Sequence, residues 1–171
     1  MKINLGEVCF DYEIVTMESI ELLGFDYTGT NKKKELSIIC NEFIQYMYKE
    51  CRDIYDTATG LIGYDSCSIN EKMEETLYYM IGIKKPENVE RLNMKCSRIK
   101  EIVIPENIYA KFCLSSRIDR LNKEIIQAYR SILQTENYFP EEMYGLEMYD
   151  RTFQPNNENS FIDFYIPIIQ A

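Results

Sequence analysis

The chain has 171 residues, 46% of them hydrophobic and 27% charged, the size and composition of one soluble globular domain with a real core. Its 19 basic and 28 acidic residues give a formal net charge of -9, which repels nucleic-acid phosphate and anionic membrane surfaces. Histidine is absent and the six cysteines are scattered without a CxxC pair, which argues against zinc, haem and any His-based triad or acid/base pair.

Met1 to Glu7 is followed by Asp11 and Glu13 and lacks the apolar core of a secretory signal. Cys9, Cys40, Cys51, Cys67, Cys96 and Cys113 therefore read as free thiols of a cytoplasmic protein. Tyr12 to Thr16 and Ile20 to Thr28 are rich in β-branched and aromatic residues and predict two strands, parted by the polar pair Glu18-Ser19. The basic run Lys32-Lys33-Lys34 reads as a solvated loop before a helix. Leu36, Ile39, Cys40, Phe43, Met47, Cys51 and Ile54 recur at steps of three and four and predict a long helix over 34–55. Gly60 and Gly63 turn into a strand at Tyr64 to Ser68, with Thr76 to Ile83 as its hairpin partner. Pro86-Glu87-Asn88 opens a polar connection to about Lys95.

Beyond it, Arg98 to Ile104 and Ile108 to Leu114 predict strands around the turn Pro105-Glu106-Asn107. Ser116 with Asp119 resembles a capping box, and Ile118, Leu121, Ile125, Ala128 and Ile132 predict a second helix over 116–135, ending before Pro140. Gly145 to Asp150 and Phe161 to Ile168 close the chain as strands, joined by Pro155-Asn156-Asn157-Glu158-Asn159. In Tyr144 to Asp150 the period of two puts Leu146 and Met148 on one face and Gly145, Glu147 and Tyr149 on the other. Either that second face lines a cavity, where Glu147 would be a negative charge among aromatic rings, or it is a solvated strand face.

Tyr27 and Tyr109, Glu42-Phe43-Ile44-Gln45 and Glu124-Ile125-Ile126-Gln127, and Gly63 and Gly145 each stand 82 positions apart. The matching order of elements, with that spacing, predicts an α+β fold of duplicated βαββ units, with repeat halves at about 10–85 and 96–170 of a single domain over 1–171. Pseudo-twofold antiparallel sheets would enclose a ligand cleft, with the two long helices on the outer faces. Leu77, Tyr79, Ile81 and Ile83, with Ile162, Phe164, Ile166 and Ile168, are then core. The candidate ligand-binding residues are Asp65, Tyr78, Met80, Glu147, Tyr149, Asp163 and Tyr165, with Tyr27 and Tyr109 not assigned to a face. No catalytic residue, metal or cofactor is called.

Several segments resemble the GyrI-like, or AraC-type, effector-binding domain: Tyr12-Glu13-Ile14-Val15-Thr16, Gly24 to Gly29, and Ile104-Pro105 with Tyr109-Ala110-Lys111-Phe112. Gly145-Leu146-Glu147-Met148-Tyr149 and Tyr165-Ile166-Pro167-Ile168 complete a likeness that spans nearly the whole chain. What the resemblance implies is a bacterial domain with a ligand-binding cleft between its halves and a pocket glutamate at Glu147. Many relatives attach this domain to a DNA-binding helix-turn-helix and sense hydrophobic, often cationic compounds. Only about ten residues precede the domain here, so a stand-alone form without direct nucleic-acid binding is expected. Three functions follow: a small-molecule sensor or sequestering module for an amphipathic, cationic or aromatic compound; a hydrolase of strained electrophiles using Glu147 and a pocket tyrosine; or a protein-binding inhibitor of the gyrase-inhibitor type.

Overall fold

The computed structural model describes residues 9–30, 33–69, 75–87, 96–141, 144–154 and 157–171. Lys32, most of the polar connection to Lys95 and the Pro155-Asn156 pair lie outside the described residues. The elements run β1 (Glu13–Met17), β2 (Ile20–Gly29), α1 (Lys33–Glu50), α2 (Arg52–Thr57), β3 (Gly60–Ile69), β4 (Glu75–Lys84), β5 (Ile99–Ile104), β6 (Asn107–Ser115), α3 (Ile118–Leu133), β7 (Tyr138–Pro140), β8 (Tyr144–Asp150) and β9 (Phe161–Gln170). The expected strands and both long helices are present, and the class is α+β.

One antiparallel sheet, rather than the expected two, runs in the order β1-β6-β9-β8-β3-β4-β2-β5, with β7 added on β9. The sheets merge because β3 and β8 pair along Gly60–Ser66 and Tyr144–Asp150, leaving no edge between the halves of the chain. Directly paired residues point to the same side of a sheet, so register traces a row across it. Phe25, Ile81, Gly63, Glu147, Phe164 and Phe112 form one such row. Phe43 and Met47 of α1 pack with Phe25 and Ile81 at one end, while Ala128 and Ile132 of α3 pack with Phe164 and Phe112 at the other. Both helices therefore cover the same face. The expectation of helices on the outer faces of separate sheets is corrected accordingly.

The other face has its own core, made of Ile20, Leu22, Met80, Tyr109, Leu146 and Tyr165 among others. What closes that core is a bent ribbon. Met17 pairs with Asn107 and Ile20 with Ile104 in one continuous register, so β1–β2 and β5–β6 are two long strands bent together. The corner falls where Glu18-Ser19 passes Pro105-Glu106, and Pro105 has no N–H to keep the ladder going. Only three residue steps, about 10 Å at full stretch, separate β1 on one edge from β2 beside the other. The sheet must roll up, and among the described residues its inner face buries apolar side chains contributed by strands alone.

Local chemistry accounts for two departures from the expected elements. The helical stripe continues through Ile54, yet Cys51 leaves helical geometry at φ -140° and ψ 36°, splitting the long helix into α1 and α2. Ser116, expected to cap α3, instead donates its hydroxyl to the carbonyls of Gln154 (3.2 Å) and Asn157 (2.9 Å), tying down the loop before β9. All six cysteines are unpaired. Among the described residues no helix is long and apolar enough to cross a membrane.

Candidate functional site between the helices

The middle of the helix-bearing face belongs to β3 and β8, between the strands that α1 and α3 cover. Register sets Gly63 opposite Glu147 and Asp65 opposite Gly145, so each carboxylate faces a residue without a side chain. The space is needed. A Cβ at Gly63 would stand 2.8 Å from the Tyr79 hydroxyl and 2.9 Å from Glu147 Oε2, and one at Gly145 would stand 2.7 Å from the Phe164 ring and 3.0 Å from Asp65 Oδ1. The glycines thus floor a trough that holds two acids.

Glu147 accepts hydrogen bonds from the hydroxyls of Tyr79, at 3.4 Å, and of Tyr149. The Tyr79 hydroxyl also lies 3.8 Å from Cys40 Sγ on α1. Loss of solvent pushes the Glu147 carboxyl above its ordinary range, with the two tyrosine hydroxyls holding it partly down. The same burial, with the charge of Glu147 adding to it, lifts the Tyr149 and Tyr79 hydroxyls well above their usual range. Burial likewise pushes Cys40 up to about 11, so it stays a thiol.

Asp65 is the more exposed to cost. Its Oδ1 is buried with no hydrogen-bond partner. Desolvation first, and the charge of Glu147 second, push it up to about 8. Asp65 Oδ1 and the Phe164 ring crowd the same point over Gly145, and Phe164 packs in the cluster that includes Tyr129 of α3, so this carboxyl lies on the α3 side of the trough, where it adds to burial in raising the Tyr129 hydroxyl. The described ion pairs all lie elsewhere, and none reaches Asp65 or Glu147. Two desolvated acids without a cation can each be compensated by a proton or by a positively charged guest.

The seven candidates from the sequence divide between the two faces. Glu147, Tyr149 and Asp65 meet in the trough, but Tyr78, Met80, Asp163 and Tyr165 lie on the inner face. There Met80 is fully buried, Tyr165 stands edge-on to Tyr109 with centroids 6.3 Å apart, and Asp163 pairs with Lys111 at 3.1 Å. The alternation within each strand was read correctly, whereas the phase between β8 and its neighbours depends on register. Glu147 shares its side with the core residues Phe164 and Ile81, while Leu146 and Met148 turn inward. Tyr27 lies on the helix face opposite Tyr79 and donates to Glu35, and Tyr109 is buried inside, 3.0 Å from the Tyr144 hydroxyl.

Tyr79 is core, as its strand pattern predicts, and its hydroxyl also reaches Glu147, while Cys40, Gly63 and Tyr129, which the sequence reading did not single out as candidates, lie around the two acids. One signal was available: Gly63-x-Asp65 and Gly145-x-Glu147 repeat a glycine and an acid at one spacing. A cavity of about 280 Å³ opens at the ends of β3, β8 and β9, lined by two of the seven candidates, Tyr149 and Asp163, with Leu61, Thr152, Ser160 and Phe161 among others. Tyr149 thus borders both this cavity and Glu147.

Several solved structures share the fold. SAV2435 bound to tetraphenylphosphonium matches at 16% identity and a TM-score of 0.62, over 93% of this chain and 94% of that one. The EcmrR C-terminal domain matches at 9% identity and a TM-score of 0.65, over 96% and 100%. A hydrolase encoded by lin2189 from Listeria innocua matches at 13% identity and a TM-score of 0.60, over 92% and 91%. No curated protein matches the chain by sequence. The resemblance to effector-binding domains is borne out, for the pattern of the integron-associated effector-binding proteins, Cass2, matches residues 13–168 and the chain belongs to that family.

Proposed function

We propose that this chain is a small-molecule-binding module for lipophilic, aromatic cations, acting as a sensor or a sequestering protein, with Glu147 holding the positive charge in the trough between α1 and α3. The observation that carries the reading is that Glu147 is a desolvated carboxylate held by the hydroxyls of Tyr79 and Tyr149 with no cationic side chain on it among the described ion pairs. Tetraphenylphosphonium on SAV2435 supplies the class of ligand to try. The cavity lined by Tyr149 gives the approach, since the hydroxyl of that residue donates to the Glu147 carboxylate. A net charge of -9 favours cations and opposes direct contact with nucleic acid, in keeping with a cytoplasmic role apart from DNA.

The same reading includes a duplicated unit. Its support is the strand order, in which β1, β2, β3 and β4 take the places of β5, β6, β8 and β9 about the central β3–β8 pair, and the offset of 82 that relates Gly63 to Gly145 and Asp65 to Glu147.

Glu147→Gln tests the site, because it keeps the shape and removes the charge. Calorimetric titration with tetraphenylphosphonium should show a loss of about 1–3 kcal/mol, while neutral triphenylphosphine oxide binds both proteins alike. The melting temperature should hold or rise, since a buried unpaired charge is lost. Equal affinities with a large fall in melting temperature would make Glu147 a structural residue and sink the proposal. A carboxylate between two tyrosine hydroxyls is also an arrangement that orients water, and in a hydrolase the variant would lose turnover of an electrophile far more than affinity for it.

A further inference from the structure

Asp65 and Glu147 stand on adjacent paired strands, each opposite a glycine and offset by two residues, so their side chains start about 7–8 Å apart across the same face. Each leans toward a different helix. Glu147 accepts from the Tyr79 hydroxyl, which also meets Cys40 of α1, and Asp65 Oδ1 crowds the Phe164 ring over Gly145, in the cluster that includes Tyr129 of α3. Glu147 has two hydroxyl donors, whereas the buried Oδ1 of Asp65 has none. A fold that only needed to fill this position would be better served by an apolar side chain, because an orphaned buried acceptor costs stability. The missing donor is one that a guest can bring.

Resting on the reading of Glu147 given above, we propose that Asp65 is a second anionic contact of the trough, and that the preferred ligands are compact aromatic dications with one positive group on Glu147 and the other on Asp65. An ammonium at Asp65 would donate to the orphaned oxygen and neutralise the charge that Glu147 otherwise opposes. Gly63 and Gly145 leave the room that the two carboxyl groups occupy, with Glu147 Oε2 2.9 Å and Asp65 Oδ1 3.0 Å from where a Cβ would stand, so an aromatic spacer would lie over the carboxyl groups rather than on the sheet. A monocation satisfies only one of the two acids.

The test compares 1,4-bis(aminomethyl)benzene, with ammonium groups on opposite sides of one ring, and 4-methylbenzylamine, which lacks the second charge, on the full chain by titration calorimetry. The diamine should bind the wild type at least about tenfold more tightly, as a charged hydrogen bond to a desolvated acceptor allows. Asp65→Asn should bring the diamine down to the level of the monoamine and so abolish the difference between them, whereas Glu147→Gln should weaken both. A second readout is proton release. Asp65 is faced by Glu147 on β8, Tyr79 on β4, Tyr129 on α3 and Cys67 on its own strand, and both phenols and the thiol are raised and stay protonated at pH 7. The diamine should therefore expel more protons than the monoamine, measured in buffers of different ionisation heat, and the excess should vanish in Asp65→Asn. Equal affinities of the two amines on the wild type would overturn the proposal, as would an Asp65→Asn variant that weakens both alike. If tetraphenylphosphonium still depends on Glu147 in that event, the single-charge site survives and only the second contact falls. If no cation binds at all, both fall together.

Discussion

A single methyl group added at Gly24 is expected to cost about 3 kcal/mol or more. Gly24 and Gly82 are paired residues of β2 and β4, and the two backbones approach so closely that neither tolerates a side chain. A Cβ on Gly24 would lie 2.0 Å from the carbonyl oxygen of Ile81, and one on Gly82 2.3 Å from that of Leu23. Both obstacles are main chain, which cannot rotate away as a side chain can, so the strands must separate and loosen their ladder. Ile81 and Leu23 are themselves core residues under α1, so the damage spreads into the packing of Phe43 and Met47. For a domain of this length, 3 kcal/mol lowers the melting temperature by roughly 6–12 °C. The comparison is Gly63→Ala, whose new Cβ would meet the hydroxyl of Tyr79 and the carboxylate of Glu147, the movable ends of long side chains. Thermal melts of both should rank Gly24→Ala as much the worse, and equal losses would show that the close approach of β2 and β4 is not what requires glycine.

The same distinction between local pattern and register explains what was legible in the sequence. Alternation in Leu77 to Ile83 and in Ile162 to Ile168 announced β4 and β9 with their core faces, because burial on one side imposes period two. The stripe from Leu36 to Met47 announced α1 for the corresponding reason. Cys51 was not legible as a break, since α2 presents Ile54 to the same core and keeps the apolar spacing intact. The joining of the halves into one sheet was hidden too. Backbone groups of β3 and β8 make that bond, and neither Gly60–Ser66 nor Tyr144–Asp150 carries a side-chain mark of it. Glu147 stood out by its chemistry, but which rings surround it depended on whether Phe164 or Tyr165 lies beside it, a one-residue matter of register. The ladder puts Phe164 there, and Tyr79 and Tyr149 follow. Asp65 was reached by the offset of 82 alone, and the buried oxygen that makes it informative appears only in three dimensions.

Asp65→Asn is expected to raise stability at pH 8 by an amount on the order of 3–5 kcal/mol and to leave it nearly unchanged at pH 4. The sign follows from linkage. In the unfolded chain the carboxyl titrates near about 3.9, whereas in the fold desolvation and the charge of Glu147 hold it up to about 8. Below the unfolded value both states carry the proton and the acid costs the fold nothing through ionisation. Between the two values the folded state keeps a proton that the unfolded chain has released, so stability falls by about 1.4 kcal/mol for each pH unit. Above pH 8 the loss is complete. Glu147 contributes in the same direction, though the hydroxyls of Tyr79 and Tyr149 restrain it, and each acid's ionisation makes the other's harder. Asp150 runs the opposite way: its carboxyl is held down by the side chain and backbone of Thr152, so that contribution is lost as the pH falls into the acid range. Subtracting the Asp65→Asn profile from the wild type removes Asp150 from the comparison and isolates the trough. Urea melts at half-unit steps from pH 4 to pH 9 should give curves that meet at the acid end and diverge steadily to pH 8. Parallel curves would mean that Asp65 is solvated or already paired, and would remove the physical ground for a guest cation at that carboxylate.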